Sequence, residues 1–268
     1  ISAGTLFHEA KANGWRDDGT YQKPTAKEIA ERRRIAAERV AKENAEIARE
    51  RADTAKKAAA IWKAATEAIA DHPYLSRKRV SPVATLREID AGAAAAILGY
   101  VPKSGGEPLA GRLLVAPVKV GNGLSTLELI DGDGRKAALA GHGTKAGGFW
   151  AAQSLPDTDG QEPLQIFEGV ATTLSGKEAN GALSIAALSA SNLPAVAKIM
   201  RERYATRPLV IGADLVKATG ESDPHAIEAA RSVGGLLAVP DFGTDREPDM
   251  TDFNDMAQLR GVEAVRQS

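Results

Sequence analysis

Apolar and polar positions follow three patterns along the chain, and each pattern predicts a different kind of structure. Residues 25–71 contain no Gly or Pro and carry only a thin apolar stripe among strong helix formers, which predicts one long helix beginning at a capping box of Thr25 and Glu28. Residues 113–140 contain short apolar runs separated by Gly-rich turns, which predicts an antiparallel meander. From residue 164 onward apolar runs alternate with helical stretches, so we expect a mostly parallel sheet flanked by helices.

These changes of pattern divide the chain into four segments. Residues 1–24 are short and polar, and because the chain begins with Ile instead of Met we expect them to be the end of a truncated upstream region. Residues 25–72 are the long charged helix or linker, residues 73–157 a basic α+β subdomain, and residues 158–268 an α/β domain. The long helix is either a solvated arm that connects its neighbours or a helix that contacts DNA or a protein partner.

The composition excludes several classes of protein. The chain has 268 residues, a formal net charge of −1 and no Cys, so neither disulfides nor a Cys-based zinc site can form within it. No apolar run approaches the ~20 residues that span a bilayer, and the N-terminus lacks the pattern of a signal peptide. We therefore expect a cytoplasmic protein without membrane contacts. The near-zero net charge means that any surface attracting nucleic acid must be local.

Basic residues are frequent in the subdomain that precedes the α/β domain. Because strands alternate their side-chain faces, several of these residues can line a groove that meets a phosphate backbone. They can equally be scattered charges that keep the surface soluble, and the sequence leaves both interpretations open. The residues are Arg77, Lys78, Arg79, Arg87, Lys103, Arg112, Lys119, Arg135, Lys136 and Lys145.

Carboxylates follow several predicted strands of the α/β domain. Glu168 ends the first of these strands, Asp214 ends the third, Asp241 follows the fourth, and Asp252 and Asp255 come soon after. The carboxyl ends of parallel strands meet at one edge, and clustered anions repel one another unless a cation lies among them. The pattern therefore predicts a Mg²⁺ or Mn²⁺ site with oxygen ligands. Each acid taken singly can instead be a helix cap or a charge at a helix start.

Five motifs, in order, resemble the Toprim domain in the DNA primases of conjugative plasmids and phages, which are related to bacterial DnaG-type primases. The motifs are EGVATTLS, ALSASNLPAVAK, VIGADLVKATG, VGGLLAVPDFG and TDFNDMAQLRG. The preceding block, from HPYLSRKRV to the GGFW sequence, resembles the basic half that lies just before Toprim in the same primases. Together they cover the chain from about residue 73 to its end.

The resemblance implies template-directed synthesis of short RNA primers on single-stranded DNA by metal-dependent nucleotidyl transfer, in plasmid or phage replication or transfer. The expected partners are a single-stranded DNA template, NTPs, a replicative helicase and an upstream zinc-binding module. The resemblance also implies contacts to template and triphosphate, for which the candidates are Arg79, Arg112, Lys119 and Lys145.

The same resemblance assigns roles to the acids. It implies that Glu168 and Asp214 are catalytic and bind Mg²⁺ or Mn²⁺, and that Asp252 and Asp255 are further metal ligands. In this family the first aspartate belongs to an Asp-x-Asp pair, but the second position here is Val216, which cannot coordinate a metal. Two other acids can replace the missing carboxylate, namely Asp223 and Asp241.

Two other functions stay open at this point. Val216 favours a nucleic-acid-binding module of a replication or conjugation protein whose Toprim site no longer catalyses synthesis. A Toprim nuclease shares the acids and, in its topoisomerase-like form, needs a tyrosine nucleophile. None of the tyrosines lies in a recognisable catalytic setting; they are Tyr21, Tyr74, Tyr100 and Tyr204.

Overall fold

The computed structural model describes residues 3–14, 25–141, 143 and 145–268. The chain divides into two compact units, Ile1–Ile47 and Ala48–Ser268. Of the predicted segment 1–24, the described part forms helix α1 (Ala3–Ala12), and the rest of that segment lies outside the described residues.

Helix α2 (Ala26–Ala64) is the predicted long helix. Its capping box is confirmed, since the Thr25 amide donates to Glu28 Oε2 at 2.8 Å and the Glu28 amide donates to Thr25 Oγ1 at 3.2 Å. Its side chains are exposed from residue 25 to residue 46, as the thin apolar stripe predicts.

The predicted end of this helix near residue 71 is wrong. The helix stops at Ala64 because the next residues form strand β1 (Thr66–Glu67), which pairs with strand β2 (Arg87–Asp90). Alanine-rich composition favours helix locally, but pairing with a distant strand decides the structure here. The last turns of α2 pack on this sheet through Ala58 and Ile61, which are fully buried.

The first sheet is antiparallel throughout and contains the predicted meander. Its strand order in the described residues is β1-β2-β5-β6-β7. The elements of this region are α3 (Pro73–Lys78), α4 (Ala91–Leu98), β3 (Lys103–Ser104), β4 (Glu107–Pro108), β5 (Arg112–Val120), β6 (Gly123–Ile130) and β7 (Lys136–Ala138).

The second sheet is mostly parallel, which confirms the predicted alternation of strands and helices. Its order in the described residues is β12-β11-β9-β10-β8, with only the edge strand β8 antiparallel. The elements are β8 (Trp150–Ala151), β9 (Leu164–Phe167), α5 (Val170–Asn180), β10 (Leu183–Ala186), α6 (Leu193–Arg203), β11 (Leu209–Gly212), α7 (Pro224–Val233), β12 (Leu236–Ala238), α8 (Phe253–Arg260) and α9 (Val262–Gln267). The chain is therefore a mixed α/β protein.

Strand alternation places helices on both faces of this sheet. Leu164 and Ile166 point toward α6 and α7, whereas Phe167 points toward α8, where its ring meets Phe253 edge-on at 5.7 Å. The Phe167 ring packs directly against the main chain of Gly212, where a Cβ atom would overlap it. This close approach fixes the end of β9.

Candidate active site

Glu168 and Asp214 lie at the point where the connections of the parallel sheet reverse direction. From β9 the chain crosses to β10 on one side and then to β11 on the other side. In open α/β sheets, ligands bind in the crevice that this reversal leaves beyond the carboxyl ends of the strands. Glu168 directly follows β9, and Asp214 follows β11 by two residues. The topology alone thus directs both acids to one crevice.

Asp214 carries the most perturbed carboxyl group of the site. Burial first, and then the charges of Asp252 and Glu168, raise its pKa to about 8, against the opposing effect of Lys136. Its Oδ1 atom is buried and has no hydrogen-bond partner among the described residues. A buried carboxylate oxygen without a partner is costly unless a proton or a cation neutralises it.

Glu168 is half-buried on the turn between β9 and α5. Burial raises its pKa, Lys136 lowers it, and the carboxylates of Asp223 and Asp252 raise it further. Lys136 lies close to this turn, since a Cβ built on Gly169, the residue after Glu168, would be 3.7 Å from Lys136 Nζ. The two acids and one lysine therefore share one electrostatic environment.

Asp252 and Asp255 form the capping box that starts helix α8. The Asp255 amide donates to Asp252 Oδ1 at 2.8 Å, and Asp255 Oδ2 accepts from the Thr251 amide at 2.9 Å. Asp252 Oδ2 also accepts from Thr172 at 3.1 Å, and Asp252 lines the pocket that contains Glu168 and Asp214. Asp255 does not line that pocket, and its Oδ1 lies 3.5 Å from Lys78 Nζ.

The pocket has a volume of about 260 Å³ and contains charges of both signs. Glu168, Asp214 and Asp252 form its acidic wall. The charged lining residues from α3 and the first sheet, which we call the basic wall, are basic except for the exposed Asp133, which lies 3.6 Å from Arg135. The basic residues are Arg77, Lys78 and Lys136. Carboxylates favour a cation and basic residues favour phosphate, so the pocket suits a metal-bound nucleotide.

The basic wall comes from the first sheet and from α3, not from the parallel sheet. Lys136 begins β7, directly after a turn that the buried Asp131 holds by accepting from the Arg135 amide at 2.9 Å and from Arg135 Nε at 2.7 Å. Asn254 on α8 links this helix to α3 and α5. Its Nδ2 donates to the carbonyl oxygen of Lys78 on α3 at 2.7 Å and to Ser175 Oγ on α5 at 3.0 Å. From the sequence alone, Arg77, Lys78 and Lys136 could be identified only as members of the large set of basic residues in this subdomain.

The four basic residues proposed for template and triphosphate contacts lie outside this pocket. Arg79 is exposed in a left-handed conformation at the end of α3. Arg112 forms ion pairs with Asp71 at 2.7 Å and Glu88 at 2.9 Å, and Lys145 pairs with the buried Glu128. Lys119 lines a different and larger pocket.

Val216 and its two possible substitutes occupy different surroundings. Val216 begins a tight turn, and its amide donates to Glu221 O at 2.8 Å. This turn returns the chain to Asp223. The Asp223 amide donates to Asp214 O at 2.8 Å, and its charge raises the pKa of both Asp214 and Glu168. Asp241 is 78% exposed and lies 3.8 Å from Arg260.

The tyrosines are poorly placed for nucleophilic attack. Tyr74 lines the pocket, but it is buried and burial raises its pKa to about 12. Tyr204 is fully buried, and Tyr100 accepts a hydrogen bond from the Ala140 amide at 2.6 Å. Tyr21 lies outside the described residues.

In the described ranges, no group of three or more His, Asp or Glu side chains is arranged so that it could hold a metal ion alone. Mg²⁺ is commonly bound through one or two carboxylates together with waters and substrate phosphates. The unpartnered Asp214 Oδ1 beside Asp252 and Glu168 fits that mode of binding.

Among residues 3–14, 25–141, 143 and 145–268, no helix is long and apolar enough to cross a membrane.

The chain is similar in sequence to two curated relatives, both named DNA primase TraC and both from Escherichia coli. One is 31% identical over 123 residues, which cover 44% of this chain and 12% of the relative. The other is 32% identical over 123 residues, which cover 44% of this chain and 8% of the relative. The predicted resemblance to DNA primases of this type is confirmed, and the match spans about a tenth of the length of these relatives.

No protein-family model matches the chain. Among solved structures, the chain is similar to the primase fragment of the bacteriophage T7 primase-helicase protein, with 15% identity, coverage of 73% of each chain and a TM-score of 0.49. It is also similar to the DnaG primase catalytic domain bound to ssDNA, with 11% identity, coverage of 81% of this chain and 78% of that chain, and a TM-score of 0.48.

Proposed function

We propose that this chain carries the catalytic core of a DNA primase, with residues 158–268 forming a Toprim domain and residues 73–157 the basic subdomain before it. The observation that carries the proposal is the pocket at the reversal point of the parallel sheet, where Glu168, Asp214 and Asp252 face the basic wall. The partial similarity to the TraC primases supports it. The substrates are then NTPs and a single-stranded DNA template.

Each wall of the pocket has its own role in nucleotidyl transfer. Glu168, Asp214 and Asp252 would supply carboxylates to a Mg²⁺ or Mn²⁺ ion that also binds water and the substrate phosphates, and the bound ion would lower the pKa of the attacking hydroxyl and neutralise phosphate charge. Lys136 attracts the triphosphate of the incoming NTP, and its own charge also limits the rise in the pKa of Asp214. Lys78 positions Asp255, which in turn fixes the start of α8 and with it Asp252.

Asp223 takes the role that Val216 cannot perform. Its amide donates to Asp214 O at 2.8 Å, and its carboxylate raises the pKa of both Asp214 and Glu168. The same carboxylate caps α7, where Oδ1 accepts from the His225 amide at 2.8 Å, and it lies outside the lining of the pocket. Asp241, which is largely exposed and paired with Arg260, is not part of the proposed site. Substitution of Asp223 with Asn therefore reduces synthesis more than substitution of Asp241 with Asn.

Primer synthesis from labelled NTPs on mixed-sequence single-stranded DNA, in Mg²⁺ or Mn²⁺, tests the proposal. We expect short RNA products from the parent. In Glu168→Gln and in Asp214→Asn we expect the rate of synthesis to fall at least about a hundredfold, because removing one group that stabilises charge in the transition state typically has an effect of this size. Asp53→Asn, a change on the exposed surface of α2, is the matched control and keeps parental synthesis. Equal synthesis by the parent and Asp214→Asn would refute the assignment of the site.

A nucleic-acid-binding module without catalysis is the second candidate. It is favoured by Val216 and by the absence, among the described residues, of a group of three acids that alone could hold a metal ion. This candidate predicts that the parent binds single-stranded DNA but makes no RNA product in either Mg²⁺ or Mn²⁺. The buried or hydrogen-bonded tyrosines described above give the nuclease alternative no comparable support.

A further inference from the structure

A second pocket, larger than the acidic one, lies where the tip of the first sheet meets the edge strand of the second sheet. Its volume is about 430 Å³, within the range of ~300–1,000 Å³ that is usual for ligand pockets. Phe149 lies at the junction, with its amide donating to Lys119 O at 3.0 Å, and the next residue begins β8. We call this space the Trp62 pocket.

Aromatic and aliphatic side chains line the inner part of the Trp62 pocket. Phe149 and Trp150 are buried in it, and Leu124 and Trp62 are partly exposed. The guanidinium of Arg87 lies over one face of the Trp62 ring, 4.5 Å from the ring centroid, and Arg87 is not in the pocket lining, so a ligand in the pocket would stack on the opposite face. A preorganised and partly exposed indole is a suitable surface for stacking a planar apolar group.

The charged residues in the lining of the Trp62 pocket are basic. Lys119 on β5 is exposed and has no ion pair within the described part of the chain. Arg203, the last residue of α6, is held by Pro156 O at 3.2 Å, and its carboxylate neighbour Asp157 lies 3.6 Å away and is fully exposed. Such an exposed pair is weak, so Arg203 keeps most of its attraction for anions. Among the residues that the structure describes, no carboxylate lines this pocket.

We propose that the Trp62 pocket binds one nucleotide of a single-stranded nucleic acid, with the base stacked on Trp62 and the flanking phosphates near Lys119 and Arg203. An aromatic inner surface with a basic rim matches a planar base joined to phosphates. The two cations lie on different elements, β5 and α6, so a strand with a phosphate on each side of the base satisfies both. The choice of nucleic acid as the ligand rests on the proposed function.

Binding of fluorescein-labelled oligothymidylate, measured by anisotropy in EDTA, tests this inference without any requirement for synthesis. We expect Trp62→Ala to weaken binding about 5- to 100-fold and Trp62→Phe to weaken it much less, because base–aromatic stacking contributes on that scale. Trp62→Phe also guards against misfolding, since it keeps an aromatic ring in the pocket. If both variants bind as tightly as the parent, the inference is wrong.

Three further arms separate stacking from other modes of binding. An abasic oligomer of equal length should bind the parent and Trp62→Ala equally well, and an equal loss on abasic and normal strands would overturn the role of stacking. Lys119→Ala should lower the salt dependence of binding by about one counterion, whereas Lys198→Ala, an exposed change on α6 outside the pocket, should not. If dTMP competes as effectively as the oligomer, the pocket binds free nucleotides and the inference fails.

Because the assay contains EDTA, the two proposals fail separately. A parent that makes primers but binds strands independently of Trp62 leaves the primase assignment intact. A parent that makes no primers but binds strands through Trp62 supports the pocket and the binding-module candidate.

Discussion

Asp214→Asn should stabilise the metal-free protein at high pH, even though it should abolish synthesis. The ordinary pKa of an aspartate is 3.8, and in the folded chain the pKa of Asp214 is raised to about 8, mainly by burial and then by neighbouring carboxylates. When a group has a raised pKa in the folded state, the stability linked to its proton is complete below the unfolded pKa and is lost as pH rises through the folded pKa. Asn cannot titrate, so the variant escapes this loss.

The expected size follows from the two pKa values. A difference of about four units corresponds to ~6 kcal/mol as an upper limit, of which ~4 kcal/mol falls between pH 5 and pH 9. The measurement is the free energy of unfolding in urea, with EDTA present, for the parent and Asp214→Asn at both pH values. Taking the difference between the two proteins removes the titrations that they share.

The outcome can refute the reasoning in a simple way. If the stability difference between the parent and Asp214→Asn is the same at pH 5 and pH 9, Asp214 does not have a raised pKa and the pocket is more solvated than the structure shows. Asp53→Asn, which removes an exposed carboxylate on α2 outside the pocket, is the control for the substitution itself. Addition of Mg²⁺ at pH 9 should then stabilise the parent more than Asp214→Asn.

Three other changes test the structure around the site, each by urea unfolding. Gly212→Ala should cost about 1–3 kcal/mol because the added methyl group overlaps the Phe167 ring, whereas Gly123→Ala, with its nearest contact at 3.8 Å, should cost much less. Asn254→Ala should cost about 1–3 kcal/mol by leaving its buried partners unsatisfied, and should also lower primer synthesis by loosening α3. The pKa of His72 is lowered, chiefly by burial, so the parent should lose stability as pH falls below 6.5, and His72→Gln should lose less.

Local patterns are sufficient to predict much of the parallel sheet. The helix VATTLSGKEAN coincides with α5, and each apolar run from residue 164 onward contains a strand of the sheet. Strands β9, β10 and β11 are buried almost throughout, so their continuous apolar runs record the fold directly, whereas β12 at the sheet edge is largely exposed. The acids at the strand ends could be predicted for the same reason, because a strand's end and its direction are both visible in the sequence.

The basic wall could not be predicted in the same way. Lys136 reaches the acids because the first sheet packs beside the turn after β9, and that packing joins residues about thirty positions apart in the chain. No local pattern distinguishes Lys136 from Arg112, whose guanidinium is occupied by two carboxylates. A carboxylate partner of this kind becomes visible only when strand pairing brings the residues together.

The charge balance of the acidic pocket supports a functional interpretation over a structural one. Asp252 caps helix α8 as well as lining the pocket, so the presence of an aspartate at this position has a structural explanation. Asp214 has none, since its Oδ1 is buried without a partner among the described residues and its ionisation opposes folding. An Asn or a Thr at this position would avoid that cost. A carboxylate that destabilises the ligand-free fold, beside basic residues suited to phosphate, is best explained by a cation that arrives with its substrate.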